Sequence, residues 1–145
     1  MHSKLIWKSN MNFECINNHL TTQIDAPTDH GGQGLGPTPK ELLLNAMMGC
    51  TAMDSVSILN KMRQKIDSFK MEIEAEKNDE HPIHFIHAHM QFFFEGELEE
   101  SKVIKAVTKS LTQYCGINYM ISKTCKIKYT ILLNKTQIYS AIAFD

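Results

Sequence analysis

Arginine is almost missing from this chain: Arg63 is the only one, and the other basic residues are lysines. Any chemistry that needs a guanidinium has a single candidate donor per chain. Cysteine is scarce as well. The four, Cys15, Cys50, Cys115 and Cys125, are too few and too scattered for a disulfide scaffold. No C-x-x-C knuckle points to structural zinc. Uninterrupted apolar runs of membrane-spanning length are absent, and the opening MHSKLIWKSNMNF lacks the apolar stretch and small-residue cleavage site of a secretory signal. A cytoplasmic protein with reduced thiols and no membrane partner is expected. Excess charge is missing too: the net charge is -1 and the lysines form no stripe, so nucleic acid and anionic lipid are not expected partners.

What is present suits a core. A chain of 145 residues, 43% of them hydrophobic, predicts one globular domain over 1–145. Short apolar runs in residues 3–24 (LIW, FECI, HLTTQI), parted by SNMN and NN, predict two or three antiparallel strands. DAPTDHGGQGLGPTP is a loop by its turn chemistry. Its GGQGLG has the glycine content of a phosphate loop but neither the Walker lysine nor the strand-to-helix spacing.

The next stretch, GPTPKELLLNAMMGC, reads as a helix start. Thr38 is placed as N-cap, Pro39 as the first helical residue, and Glu41 completes a capping box. Apolar residues on most sides from Leu42 to Ile58 predict a largely buried helix running to about Lys65. FKMEIEAEKND and HFIHAHMQFFFEG predict two strands joined around 78–82, the second with Ile86, Ala88, Met90, Phe92 and Phe94 on one face, expected to pack on the long helix. A helix from about Glu99 carries Val103, Ile104, Val107, Leu111 and Tyr114 as a stripe and ends near Cys115 and Gly116. A short helical piece follows over 118–123. KIKYTILL predicts the last strand, and NKTQIYSAIAFD a docked tail. The order predicts an α+β fold.

One cysteine inside a long helix, in GPTPKELLLNAMMGCTAMD, and another just after the second helix, in YCGINYMI, together resemble the OsmC/Ohr family of peroxide-detoxifying proteins. The second segment is similar to that family's Cys-Pro-Val-Ser. The wording of the first is nearest the less characterised OsmC-like subgroup, and the similarity runs from about Asp25 to Leu133. The resemblance implies antiparallel sheets wrapped around a long central helix in an intertwined homodimer, with each site at the subunit interface. It implies a thiol peroxidase that reduces organic hydroperoxides in oxidative stress defence. Cys50 would be the peroxidatic thiol and Cys115 the resolving one, re-reduced by a small or lipoyl-linked dithiol without a held cofactor. A redox-sensing or small-molecule-binding protein on the same fold is the alternative.

A peroxide O–O bond is cleaved by thiolate, so the thiol needs a donor or positive neighbour. The well-studied hydroperoxide reductases have an arginine in the N-terminal strands, held by a glutamate ten residues before the helix cysteine. Here Lys40 stands at that glutamate position with Glu41 beside it, and residues 1–37 hold no arginine. Glu41 is therefore a candidate site residue as well as a cap. His19, His30, Lys40, or Arg63 from a second subunit are the other candidate sources of charge, while Asp54, at i+4 from Cys50, would oppose ionisation. Cys15 and Cys125 read as packing residues. His87 and His89 share a strand face but lack an evident third ligand, so no metal is expected. Met47, Met48 and Met53 read first as core packing and second as the lining of an apolar pocket.

Overall fold

The turn-bounded runs near the N-terminus form a three-stranded meander in the computed structural model, which describes residues 1–144. β1 (Lys4–Ser9), β2 (Asn12–Asn17) and β3 (Leu20–Ile24) pair antiparallel in sequence order. Asn10 and Asn18 make the two reversals at positive φ, which asparagine tolerates better than most side chains. These strands and the loop after them belong to one compact unit, Met1–Asn45, and the rest of the chain to a second, Ala46–Asp145.

The glycine-rich loop folds around Asp25. This buried carboxylate accepts the backbone N–H of Ala26 at 2.8 Å, of Gln33 at 3.1 Å and of Leu35 at 3.2 Å. The glycines serve that turn and not a phosphate: a Cβ on Gly32 would lie 1.8 Å from the Ala26 carbonyl oxygen, and one on Gly36 2.4 Å from that of Gln23.

Helix α1 (Pro39–Lys61) begins as the capping box requires. The Thr38 N–H donates to Glu41 Oε2 at 2.7 Å, the Thr38 hydroxyl to the same oxygen at 2.9 Å, and the Glu41 N–H to Thr38 Oγ1 at 3.3 Å. It stops short of Lys65 because Arg63 takes a left-handed conformation, φ 55. The N–H of Arg63 then reaches the Asn60 carbonyl and that of Gln64 the Leu59 carbonyl, a Schellman end. The largely buried helix expected from composition is corrected here. Only the stripe Met47, Thr51, Ser55 and Leu59 is buried, and Met53 is 72% exposed. Apolarity all round the helix serves one inward stripe and leaves the other apolar side chains half-covered or, for Met53, exposed within a single chain. By length and composition α1 is also the one helix among the described residues long and apolar enough to cross a membrane.

The second unit's sheet has the order β4-β5-β6-β7: β4 (Ser68–Lys77), β5 (Phe85–Glu95), β6 (Lys126–Leu133) and β7 (Thr136–Ile142). β5 and β6 run parallel and the other pairs antiparallel. That parallel pair needs a crossover, which α2 (Glu100–Lys109) and α3 (Gly116–Ile121) supply. Ala88, Met90, Phe92 and Phe94 are buried as the alternation predicts, while Ile86 at the start of the same face is only half-buried; Phe69 stacks on Phe94 at a centroid distance of 4.3 Å. Val103, Val107, Leu111, Ile127 and Ile131 complete this core, each burial stabilising by roughly 1.5–3 kcal/mol.

Two expectations change in this unit. The tail is a strand: Asn134 and Lys135, both at positive φ, form a two-residue turn that folds β7 back on β6. The second helix also does not run evenly to Cys115. After Lys109 it widens into one π-turn, Ser110–Tyr114, closed by the Cys115 N–H on the Ser110 carbonyl at 2.8 Å. The extra residue in that turn breaks the stripe, so Tyr114 is exposed while Val103, Val107 and Leu111 stay inside.

Candidate functional site

Cys50 lies in the middle of α1, half-buried, and Cys115 sits buried at the junction of the π-turn and α3. The fold brings them together. Cys115 is the N-cap of α3, its Sγ accepting the Asn118 N–H at 3.4 Å. At the start of the π-turn, Ser110 donates its hydroxyl to the Thr51 carbonyl of α1 at 2.9 Å. On the other side of Cys115, the Asn118 side chain donates to Thr51 Oγ1 at 2.6 Å and to the Met47 carbonyl at 3.3 Å. Met47 and Thr51 bracket Cys50 on α1, so the Cys115 segment is tied to the turn that carries the other thiol.

The electrostatics of the pair favour the protonated form. Burial pushes the Cys50 thiol up to about 11, helped by side-chain and charge interactions with Cys115 and by the Asp54 carboxylate, while the Ile117 backbone N–H pulls it down. Among the described residues no cationic side chain is one of these groups. Two adjacent thiols can do two things chemically: share a proton, or lose two electrons to become a disulfide.

The other candidates fall elsewhere. Glu41 has its carboxylate taken up by Thr38, whose backbone N–H and hydroxyl hold its pKa below the usual value. Arg63 ends α1. Cys125 is buried, and burial raises its pKa; Cys15 is half-buried, 3.3 Å from the Ser3 hydroxyl. His30 pairs with Asp29 at 3.0 Å. His87 and His89 stand on the outer sheet face between Glu76 and Glu74 on one side and Lys126 and Lys128 on the other. His87 meets Glu76 at 3.4 Å and His89 meets Thr130 Oγ1 at 2.9 Å. Among the described residues no three metal-ligating side chains gather. Met47 is core. Met53 lies over an open apolar cleft of about 630 Å³, with Ala52, Val56 and Phe69. A second cleft, about 370 Å³, reaches from Asp54, one helical turn from Cys50, and Tyr114, next to Cys115, to Lys61 and Lys109.

Sequence reading missed Thr51, Ser110 and Asn118. Asn118 carried a signal: it stands third after Cys115, where a helix-starting residue's partner N–H lies.

A family model described as OsmC-like protein matches residues 31–130. Protein YhfA of Escherichia coli K12 is 35% identical over 95 residues, covering 65% of this chain and 71% of YhfA. Among solved structures, an OsmC like protein from Mycoplasma pneumoniae superposes with a TM-score of 0.79 at 12% identity, over 91% of this chain and 95% of that one. An organic hydroperoxide resistance protein OsmC from Legionella pneumophila superposes with a TM-score of 0.68 at 17% identity, over 90% and 94%. With the family model matching through both cysteine segments and the fold shared along most of the chain, this protein belongs to the OsmC-like family.

Proposed function

We propose that the protein is a cysteine-based thiol peroxidase that reduces organic hydroperoxides, acting as a homodimer. Cys50 as thiolate attacks the terminal peroxide oxygen; the O–O bond breaks, an S–O bond forms, and the alkoxide leaves and takes a proton to become an alcohol. Cys115 then attacks the Cys50 sulfenic acid, the disulfide forms and water leaves. A dithiol reductant of small or lipoyl type returns both thiols by exchange. Glu41 supports the site by capping the helix on which Cys50 is carried. The observation that carries this reading is the pairing of Cys50 with Cys115 through the Asn118 and Ser110 ties. The name of the Legionella relative, organic hydroperoxide resistance protein, agrees with it. The incompletely covered apolar face of α1, with Met53 exposed beside the half-buried Ala52 and Val56, supports a second copy as the surface that completes its burial.

A second reading has its own observation. With its pKa raised to about 11, Cys50 in a single chain is overwhelmingly thiol at neutral pH, which slows attack on peroxide and supports a redox-sensing or small-molecule-binding protein without efficient turnover. Steady-state assay with cumene hydroperoxide and a dithiol separates the two. Turnover that is abolished by Cys50→Ser supports the peroxidase; stoichiometric oxidation without turnover supports the sensor.

A further inference from the structure

Asn118 is fully buried, and its amide has one orientation available. The Met47 carbonyl only accepts, so Nδ2 must face it, 3.3 Å away. The Thr51 hydroxyl gives its own proton to the same carbonyl at 3.1 Å and so receives the second amide proton, at 2.6 Å. Both amide hydrogens are used, while Oδ1 is left with no partner among the described residues. Burying an amide oxygen unpaired costs folding free energy that an apolar residue would not incur. What the asparagine supplies in return is its two donors, both aimed at the turn that brackets Cys50, while its backbone N–H serves Cys115 Sγ.

We propose that Asn118 is the positioning residue of the cysteine pair: its amide clamps the Cys115 turn to the Met47–Thr51 turn, and so sets how readily the two sulfurs close into a disulfide. A serine offers one side-chain donor there, an aspartate none, and the two-donor clamp needs the amide. The Ile117 N–H that acts on Cys50 is carried by the same clamped segment. The proposal rests on the reading of Cys50 and Cys115 as a redox pair, and extends it to a residue that never touches peroxide.

The test uses a diazene oxidant, diamide, in place of peroxide, on the full chain. The two thiols lose two protons and two electrons to the N=N bond, which becomes a hydrazine, and one S–S bond forms. Mass spectrometry follows closure, and alkylation by iodoacetamide follows Cys50 reactivity alone. Asn118→Ala should slow closure about tenfold or more relative to alkylation, since small misplacements of reacting groups have effects of that size. Asn118→Ser should recover part of the loss. A purely structural role would lower thermal stability and leave the ratio of closure to alkylation unchanged. Should Asn118→Ala not fold, Thr51→Val, which keeps the shape and removes the acceptor, decides in its place and should also slow closure. Closure within about twofold of wild type in a folded variant overturns the proposal. Failure of wild-type Cys50 to react with peroxide would instead remove the peroxidase reading and leave this comparison standing.

Discussion

Asp54 lies one helical turn beyond Cys50 and opposes its ionisation, in the same direction as burial and Cys115. Its contribution is smaller than that of burial or of Cys115, and it has the same sign. Asp54→Asn removes the negative charge, lowers the Cys50 pKa and enlarges the thiolate fraction at a given pH, about tenfold for each pH unit by which the pKa falls. The expected outcome is faster alkylation of Cys50 at pH 8 in the variant. An unchanged rate would take Asp54 out of the electrostatics of the pair.

The raised thiol pKa also predicts how stability depends on pH. The folded value, about 11, lies above the ordinary 9.0, so the protonated form is favoured by folding. This contribution is complete below pH 9 and is lost as pH rises through about 11. Allowing for partial solvent access it amounts to on the order of 1–2 kcal/mol. Thermal melts of wild type and Cys50→Ala between pH 8 and 11 should therefore show a steeper fall for the wild type. Parallel curves would mean that Cys50 keeps an ordinary pKa.

Much of the fold is legible in the sequence because local chemistry and global packing agree. Thr38, Pro39 and Glu41 announce the start of α1, and the alternation through Ala88, Met90, Phe92 and Phe94 marks the buried face of β5. The two cysteines are legible as a pair only through the wording around them, since nothing in spacing brings Cys50 to Cys115. Other features are hidden for physical reasons. β7 follows an Asn-Lys turn, and lysine is a poor advertisement for positive φ. The π-turn leaves no mark on helical periodicity except to misplace Tyr114. Asn118 looks like a surface residue by type and is instead buried, because its partners are a carbonyl and a hydroxyl on a distant helix.

The loop after β3 should come apart in acid before the strands do. Burial pushes the Asp25 carboxyl up, but the N–H groups of Leu35, Ala26 and Gln33, with the Asn12 side chain, together hold it below its ordinary value of 3.8. A depressed carboxylate pKa contributes stability above the unfolded value, and that contribution is lost as pH falls through the folded one. Hydrogen exchange at Gln33 and Leu35 should accelerate on acidification relative to the β2 amides, and at neutral pH in Asp25→Ala. Protection that survives the substitution would mean that the glycines alone fold the loop.

Arg63 supplies the last prediction, and it separates a structural arginine from a catalytic one. Its φ of 55 is strained for a side-chain residue and free of strain for glycine, and it holds the position at which helices prefer glycine. Its backbone, not its guanidinium, ends α1 through the bonds to Asn60 and Leu59. Arg63→Gly should thus raise stability, by about 1 kcal/mol, which shifts the melting temperature of a domain this size upward by a few degrees. Peroxide turnover by the variant reports on the other possibility. If the guanidinium serves only solvent, turnover is unchanged; if it reaches Cys50 of a second subunit, Arg63→Gly is more stable and yet inactive, a combination that backbone geometry alone does not produce.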